Sequence, residues 1–147
     1  MEVWVSLWSS RVDDMKIFLI YRFTGEEIVK LEKICNKIIA SLEKAKHICF
    51  CSLSKEKYYK KNKFTRKQSY LDTMKEIDNY EAVLVFIKSN KKNEEILVEV
   101  GYAVAKGKKI FLAIKNGVRS ELIEQISDKI IKFDTVEDLC KKLSKLN

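Results

Sequence analysis

Apolar residues fall along this chain in two alternating rhythms. Residues 16–22 (KIFLIYR), 47–52 (HICFCS), 81–88 (EAVLVFIK), 109–114 (KIFLAI) and 129–133 (KIIKF) are short apolar runs, most of them nearly continuous. Enriched in β-branched and aromatic residues, they read as strands buried on both faces. Between them the apolar period lengthens. Ile28, Leu31, Ile34, Cys35, Ile38 and Leu42 recur at helical spacing and predict a helix running to about Lys46. Thr24 is its candidate N-cap, with Glu26 and Glu27 in the first turn. Helices are also predicted over 65–79 (Leu71, Met74 and Ile77 on one face), 93–106 (Ile96, Leu97, Val100, Val104), 120–126 and 135–146. Gly107 supplies a stop for the second of these. The stretch 54–63 has no regular apolar period and reads as a polar, lysine- and tyrosine-rich loop, a lid or contact surface carrying Tyr58 and Tyr59, or a solvated segment.

Strands alternating with helices of this length imply right-handed crossovers and a parallel sheet covered on both faces. Five strands fit a flavodoxin-like three-layer α/β sandwich of order 2-1-3-4-5, whereas a barrel needs eight such units. Ligands bind such sheets beyond the strand C-termini, where the strand order reverses. Here the loops 21–26 and 89–95 flank that point. The expected organisation is one domain over 15–147. Residues 1–14 form an N-terminal extension or, through alternating Val3, Val5 and Leu7, a short edge strand.

Composition narrows the partners. The chain of 147 residues, 46% hydrophobic, can build one core without disulfide or metal. Its net charge of +8 comes from lysines spread over nearly every segment. The excess suits a phosphate-bearing ligand but forms no stripe, so nucleic-acid binding is not expected. No apolar run approaches the ~20 residues of a membrane span. Cys35, Cys49, Cys51 and Cys140 match neither a redox nor a zinc spacing, and read as buried thiols of a reducing, cytoplasmic compartment.

Standard dinucleotide and P-loop signatures are missing, and the one histidine, His47, stands at a strand start, where a buried or capping role is expected. No metal and no cofactor are expected. Carboxylate chemistry remains. Glu99 lies among apolar neighbours in EEILVEVGYA, with Gly101 and Ala103 small enough for close packing on the sheet. A partly buried carboxylate there could attack an anomeric carbon and form a glycosyl intermediate. A salt-bridged surface glutamate is the other reading of the same residue.

The segment 78–110, DNYEAVLVFIKSNKKNEEILVEVGYAVAKGKKI, resembles the nucleoside 2-deoxyribosyltransferase superfamily, which includes 2′-deoxynucleoside 5′-phosphate N-hydrolases. Glu99, Gly101, Ala103, Gly107 and Lys108 stand where that family has E-x-G-x-A and G-K, and Ser89 stands at the loop entry. The opening KIFLIYRFTGEE resembles the family's first strand and loop, and the order of elements agrees throughout. The resemblance implies an N-glycosidic bond-cleaving enzyme, hydrolase or transferase, with a nucleoside or nucleotide as substrate and a homodimer or larger homo-oligomer as its assembly. It implies Glu99 as nucleophile, and Asp72, or else Asp78, holding the sugar hydroxyl or protonating the base. It implies Tyr21, Arg22, Phe23 and Gly25 along the sugar and phosphate side, and Ser89 with the backbone near Asn93 meeting a 5′-phosphate.

Two positions depart from the family pattern. Glu95 replaces a common glycine four residues before the nucleophile, where a carboxylate repels phosphate and crowds the pocket. Arg22-Phe23-Thr24-Gly25 stands in place of a Gly-Pro pair. A nucleotide-binding module without turnover, or a TIR-like NAD-cleaving domain on the same fold, are the competing expectations.

Overall fold

The computed structural model describes residues 14–22, 26–91 and 94–147. Phe23, Thr24, Gly25 and Asn93, for which the sequence predicts binding or capping roles, and residues 1–13 of the expected extension lie outside them. In chain order the elements are β1 (Lys16–Tyr21), α1 (Ile28–Lys44), β2 (Ile48–Cys51), α2 (Leu53–Lys61), α3 (Arg66–Ile77), β3 (Ala82–Ile87), α4 (Glu94–Ala105), β4 (Lys109–Lys115), α5 (Glu121–Ile126), β5 (Lys129–Phe133) and α6 (Val136–Leu143). The strands form one five-stranded sheet, β2-β1-β3-β4-β5, parallel at every pairing. The fold is the flavodoxin-like sandwich that the alternation of elements predicts.

The period of two along each strand divides the core. Ile17 and Leu19 of β1, Leu84 of β3 and Phe111 of β4 point to the side covered by α1 and α6. Phe18, Ile20, Val83, Val85 and Leu112 point to the other, against Ile96, Val100 and Ala103 of α4. Such fully buried aliphatic side chains are each worth roughly 1.5–3 kcal/mol over exposure. No helix among the described residues is long and apolar enough to cross a membrane.

Two local features correct the sequence-based expectations. Residues expected as a loop over 54–63 are largely helical, as α2. The helix has almost no apolar face, only Leu53 and Tyr59 being buried, so its periodicity carried no signal. Its C-terminus is fixed instead by a closed turn: the Lys63 amide donates to the Lys60 carbonyl at 3.2 Å and the Phe64 amide to the Tyr59 carbonyl at 2.9 Å. Tyr59 and Phe64 stack across this turn at 5.2 Å. That is the αL-terminated helix end, with its hydrophobic clasp, that usually carries glycine. Here Lys63 adopts φ 54° in its place, while Lys46 does the same after α1 (φ 69°) and Gly107 after α4 (φ 72°). Gly101, secondly, does not pack on the sheet. It is exposed, and a Cβ built there meets nothing within 4 Å; Ala103 alone makes the close contact expected of the pair.

His47 is buried and structural. Its Nδ1 accepts the Met15 amide at 3.1 Å and its Nε2 donates to the Leu146 carbonyl at 2.8 Å, joining the entry to β1 with the segment after α6.

Candidate functional site

A cavity of about 460 Å³ opens at the C-terminal edge of the sheet, within the usual range for small-molecule sites. The sheet contributes Tyr21 from the end of β1 and Ser52 just after β2. Glu26 and Ile28 come from the entry to α1, and Glu95 and Glu99 from the first turns of α4. The α2–α3 hairpin forms the facing wall with Glu56, Tyr59, Lys60, Lys63, Phe64 and Arg66, followed by Ser69, Tyr70 and Thr73.

Each wall has a local cause. On α4, Ile96, Val100 and Ala103 anchor one face on the sheet. Glu95 and Glu99 then fall together on an adjacent face, one turn apart. On the hairpin, Thr65 and Gln68 form a capping box: the Gln68 amide donates to Thr65 Oγ1 at 3.1 Å and the Thr65 amide to Gln68 Oε1 at 2.8 Å. The two helices are clamped by Asp72, whose Oδ2 accepts the Tyr59 hydroxyl at 2.7 Å and Lys55 Nζ at 3.3 Å. The Tyr59 bond, with Lys55, holds the Asp72 carboxyl below its usual range.

Electrostatically the cavity has two poles. Glu99 is half-buried, and burial pushes its carboxyl up to about 8, with the neighbouring Glu95 and Glu56 adding to the shift. Glu56 is raised as well, first by burial, while Lys60 and Arg66 act the other way. The cations of the hairpin stand around Glu56, on the wall facing Glu99. Among the described residues, Lys60, Lys63 and Arg66 are in no ion pair.

Buried polar groups in native proteins nearly always find partners, so exceptions point to missing ligands or chemistry. Among the described residues two buried side-chain oxygens lack one, Tyr21 Oη and Glu95 Oε1, and both residues line this cavity. Burial, reinforced by Cys51, holds the Tyr21 phenol above its ordinary range. Behind Tyr21, the neighbouring Cys35 thiol lowers Cys51 to about 7, while burial raises Cys49 to about 12.

The residues expected from the sequence divide accordingly. Tyr21, Glu95 and Glu99 come together in the cavity. Arg22 and Ser89 line an adjoining cleft of only about 10 Å³, where Arg22 Nη1 is paired with Glu26 Oε1 at 3.1 Å. Asp72 sits outside the cavity lining, engaged in the hairpin clamp. Asp78 caps α3 just before β3, at the opposite edge of the sheet, where its carboxylate accepts the Tyr102 hydroxyl at 2.7 Å. Glu56, Lys60, Lys63 and Arg66 escaped the sequence reading. Their one local signal is the aromatic-lysine cluster Tyr58–Phe64, whose rings pack on one another.

No protein-family description matches the sequence, and no curated protein matches it. Solved structures do. The Clostridium botulinum CMP N-glycosidase BcmB is 18% identical with a TM-score of 0.63, the alignment covering 87% of this chain and 97% of that one. A 2-deoxyribosyltransferase from Bacillus psychrosaccharolyticus is 17% identical with a TM-score of 0.60, over 87% and 95%. A conserved protein from Enterococcus faecalis V583 is 11% identical with a TM-score of 0.59, over 90% and 98%. This chain shares their fold.

Proposed function

We propose that this chain cleaves the N-glycosidic bond of a nucleoside or nucleoside 5′-monophosphate, with Glu99 as the nucleophile. The observation that carries the reading is the state of Glu99. It is a carboxyl raised to about 8 in a cavity at the strand C-termini, one turn from the unpartnered Glu95 oxygen. Perturbed carboxyl pairs in clefts are the usual currency of glycosyl transfer. The fold shared with a CMP N-glycosidase and a 2-deoxyribosyltransferase supports the same class.

In this mechanism Glu99 first loses its proton, which the Glu95 carboxylate can take. The Glu99 carboxylate then attacks C1′. The electron pair of the C1′–N bond leaves with the base, and the base accepts a proton from Glu95. Water hydrolyses the glycosyl ester, or a second base captures it. No step requires a cofactor. The Tyr21 hydroxyl, buried without a partner, offers a hydrogen bond to the sugar.

A second reading, nucleotide binding without turnover, is favoured by one fact: a carboxyl titrating at about 8 is mostly neutral, and so not nucleophilic, at pH 7. Chromatographic assay of base release separates the two. The purified protein is incubated with a panel of nucleosides and their 5′-monophosphates between pH 6 and 9, with and without an acceptor base. Release that disappears in Glu99→Ala is the expected result. Binding with no release from any member at any pH would leave the binding module.

A further inference from the structure

We infer that Cys35 and Cys51 form a modification site behind the cavity, where a hydroperoxide oxidises the pair to a reversible disulfide that ties α1 to the end of β2. The site is independent of whether the cavity cleaves its ligand or only binds it.

Alternation along the strands brings the thiols together. β1 and β2 pair with Ile17 beside Cys49 and Leu19 beside Cys51, so both cysteines share the sheet face covered by α1. Tyr21, two residues beyond Leu19, belongs to the same side. α1 runs back from the cavity, where Ile28 lies, and buries Leu31 and Cys35 over its next two turns. Cys35 thereby meets the end of β2, and each of the two thiols is the strongest single influence on the acidity of the other. Cys49 and Cys51 stand about 7 Å apart with parallel side chains, a poor geometry for bridging.

The two thiols differ in the way that disulfide formation uses. Cys51 titrates at about 7, lowered first by Cys35 and then by Tyr21 and the Leu53 amide, against the effect of burial. Leu53 opens α2, and a helix N-terminus favours a thiolate. Cys35 is raised, first by Cys51 and then by burial, and keeps its proton. The Cys51 thiolate attacks one peroxide oxygen, and the O–O bond breaks. With a proton from solvent the other oxygen leaves as water or an alcohol, and Cys51 becomes a sulfenic acid. The Cys35 sulfur then displaces the sulfenic hydroxyl, which departs as water with the Cys35 proton. The two thiols give up two electrons and the peroxide takes them.

Position gives the bond a consequence. Tyr21, Ile28 at the start of α1 and Ser52 directly after Cys51 all line the cavity. The disulfide joins two of its walls behind Tyr21, whose hydroxyl is buried without a partner and close enough to both thiols to respond to their charge. Cys51 lies on the edge strand and keeps 9% exposure, against 2% for Cys35, an opening for a small oxidant. Cys140, the most exposed of the four, is on α6 and serves as an internal control.

The test treats the purified chain with hydrogen peroxide at neutral pH, alkylates the remaining thiols after denaturation and maps the peptides by mass spectrometry. A linked Cys35–Cys51 peptide that dithiothreitol abolishes is expected, formed while Cys49 and Cys140 are still alkylated. Cys35→Ser should stop at a Cys51 sulfenic acid, captured by dimedone, and Cys51→Ser should leave Cys35 unoxidised. Cys49→Ser should form the link as the wild type does. Amide hydrogen exchange reads the effect on the walls: residues 28–35 and 51–61 should exchange several-fold more slowly in linked than in reduced protein. Treated Cys35→Ser should show no such slowing. Oxidation confined to Cys140, a link through Cys49, or no link under prolonged treatment would overturn the inference. So would linked protein whose exchange over both segments is unchanged.

Discussion

Replacing Glu99 by glutamine should stabilise the protein, and by an amount that grows with pH. The effect needs no substrate. Glu99 is raised in the folded chain from 4.5 to about 8, first by burial and then by Glu95 and Glu56. At about 1.4 kcal/mol per unit, holding the ionised side chain in the fold costs about 5 kcal/mol relative to the unfolded chain. The folded state binds this proton more tightly than the unfolded state does. The stability is therefore fully present below the unfolded value of 4.5 and is lost as pH rises through the folded value of about 8. Glutamine is uncharged throughout and escapes the loss. Between pH 5 and 8.5 the difference between the two proteins should widen by about 4 kcal/mol, or on the order of 10 °C in Tm for a chain of this size. Urea melts of both proteins at pH 5, 7 and 8.5 measure it directly. Glu56 and Glu95 are present in both chains, so only their interaction with the Glu99 carboxyl differs in the comparison. A gap that stays flat across this range would refute the burial argument and, with it, the perturbed state on which the proposed chemistry depends.

Other substitutions test neighbouring parts of the same account. Glu95→Gln removes both the nearer like charge and the group that carries the proton to the departing base, so base release should fall by roughly 100-fold or more. The rising limb of the residual pH profile should move down by about one unit, the scale of a partly screened pair one helical turn apart. An unmoved limb would mean that burial alone sets Glu99. Gly101→Ala should stabilise α4 by up to about 1 kcal/mol in thermal melts, since the site is open and helical; a loss would reveal a contact on that face. His47→Ala leaves the Met15 amide and the Leu146 carbonyl without partners, and should cost about 2–4 kcal/mol by denaturant titration.

What the sequence disclosed follows from where each signal is stored. β1, β3 and β4 are buried on both faces, so their apolar runs declare them without help from the rest of the chain. Glu99 could be singled out because its flanking Ile96 and Val100 fix the face of α4 that meets the sheet. The hairpin wall was hidden for the opposite reason. α2 buries only two residues and is shaped by a turn and a ring stack, neither of which leaves a hydrophobic period. Lys60 and Arg66 acquire meaning only when the hairpin folds across the strand ends to share a cavity with Glu95 and Glu99. Asp72 shows the same limit in reverse. Its residue type and helical setting suited a substrate contact, while its orientation toward Tyr59 and Lys55 is decided by a tertiary partner 13 residues away.

The two hydrogen bonds of His47 carry a practical implication for engineering the chain. One imidazole touches both the residue that leads into the first strand and the residue that follows the last helix. Positions 15 and 146 are therefore separated by little more than the width of a ring and two bonds, a gap that a linker of about two or three residues can bridge. Joining them and reopening the chain at the exposed turn around Gly117 would give a circular permutant. New termini would then lie beside β4, where a fused reporter or purification handle could be attached.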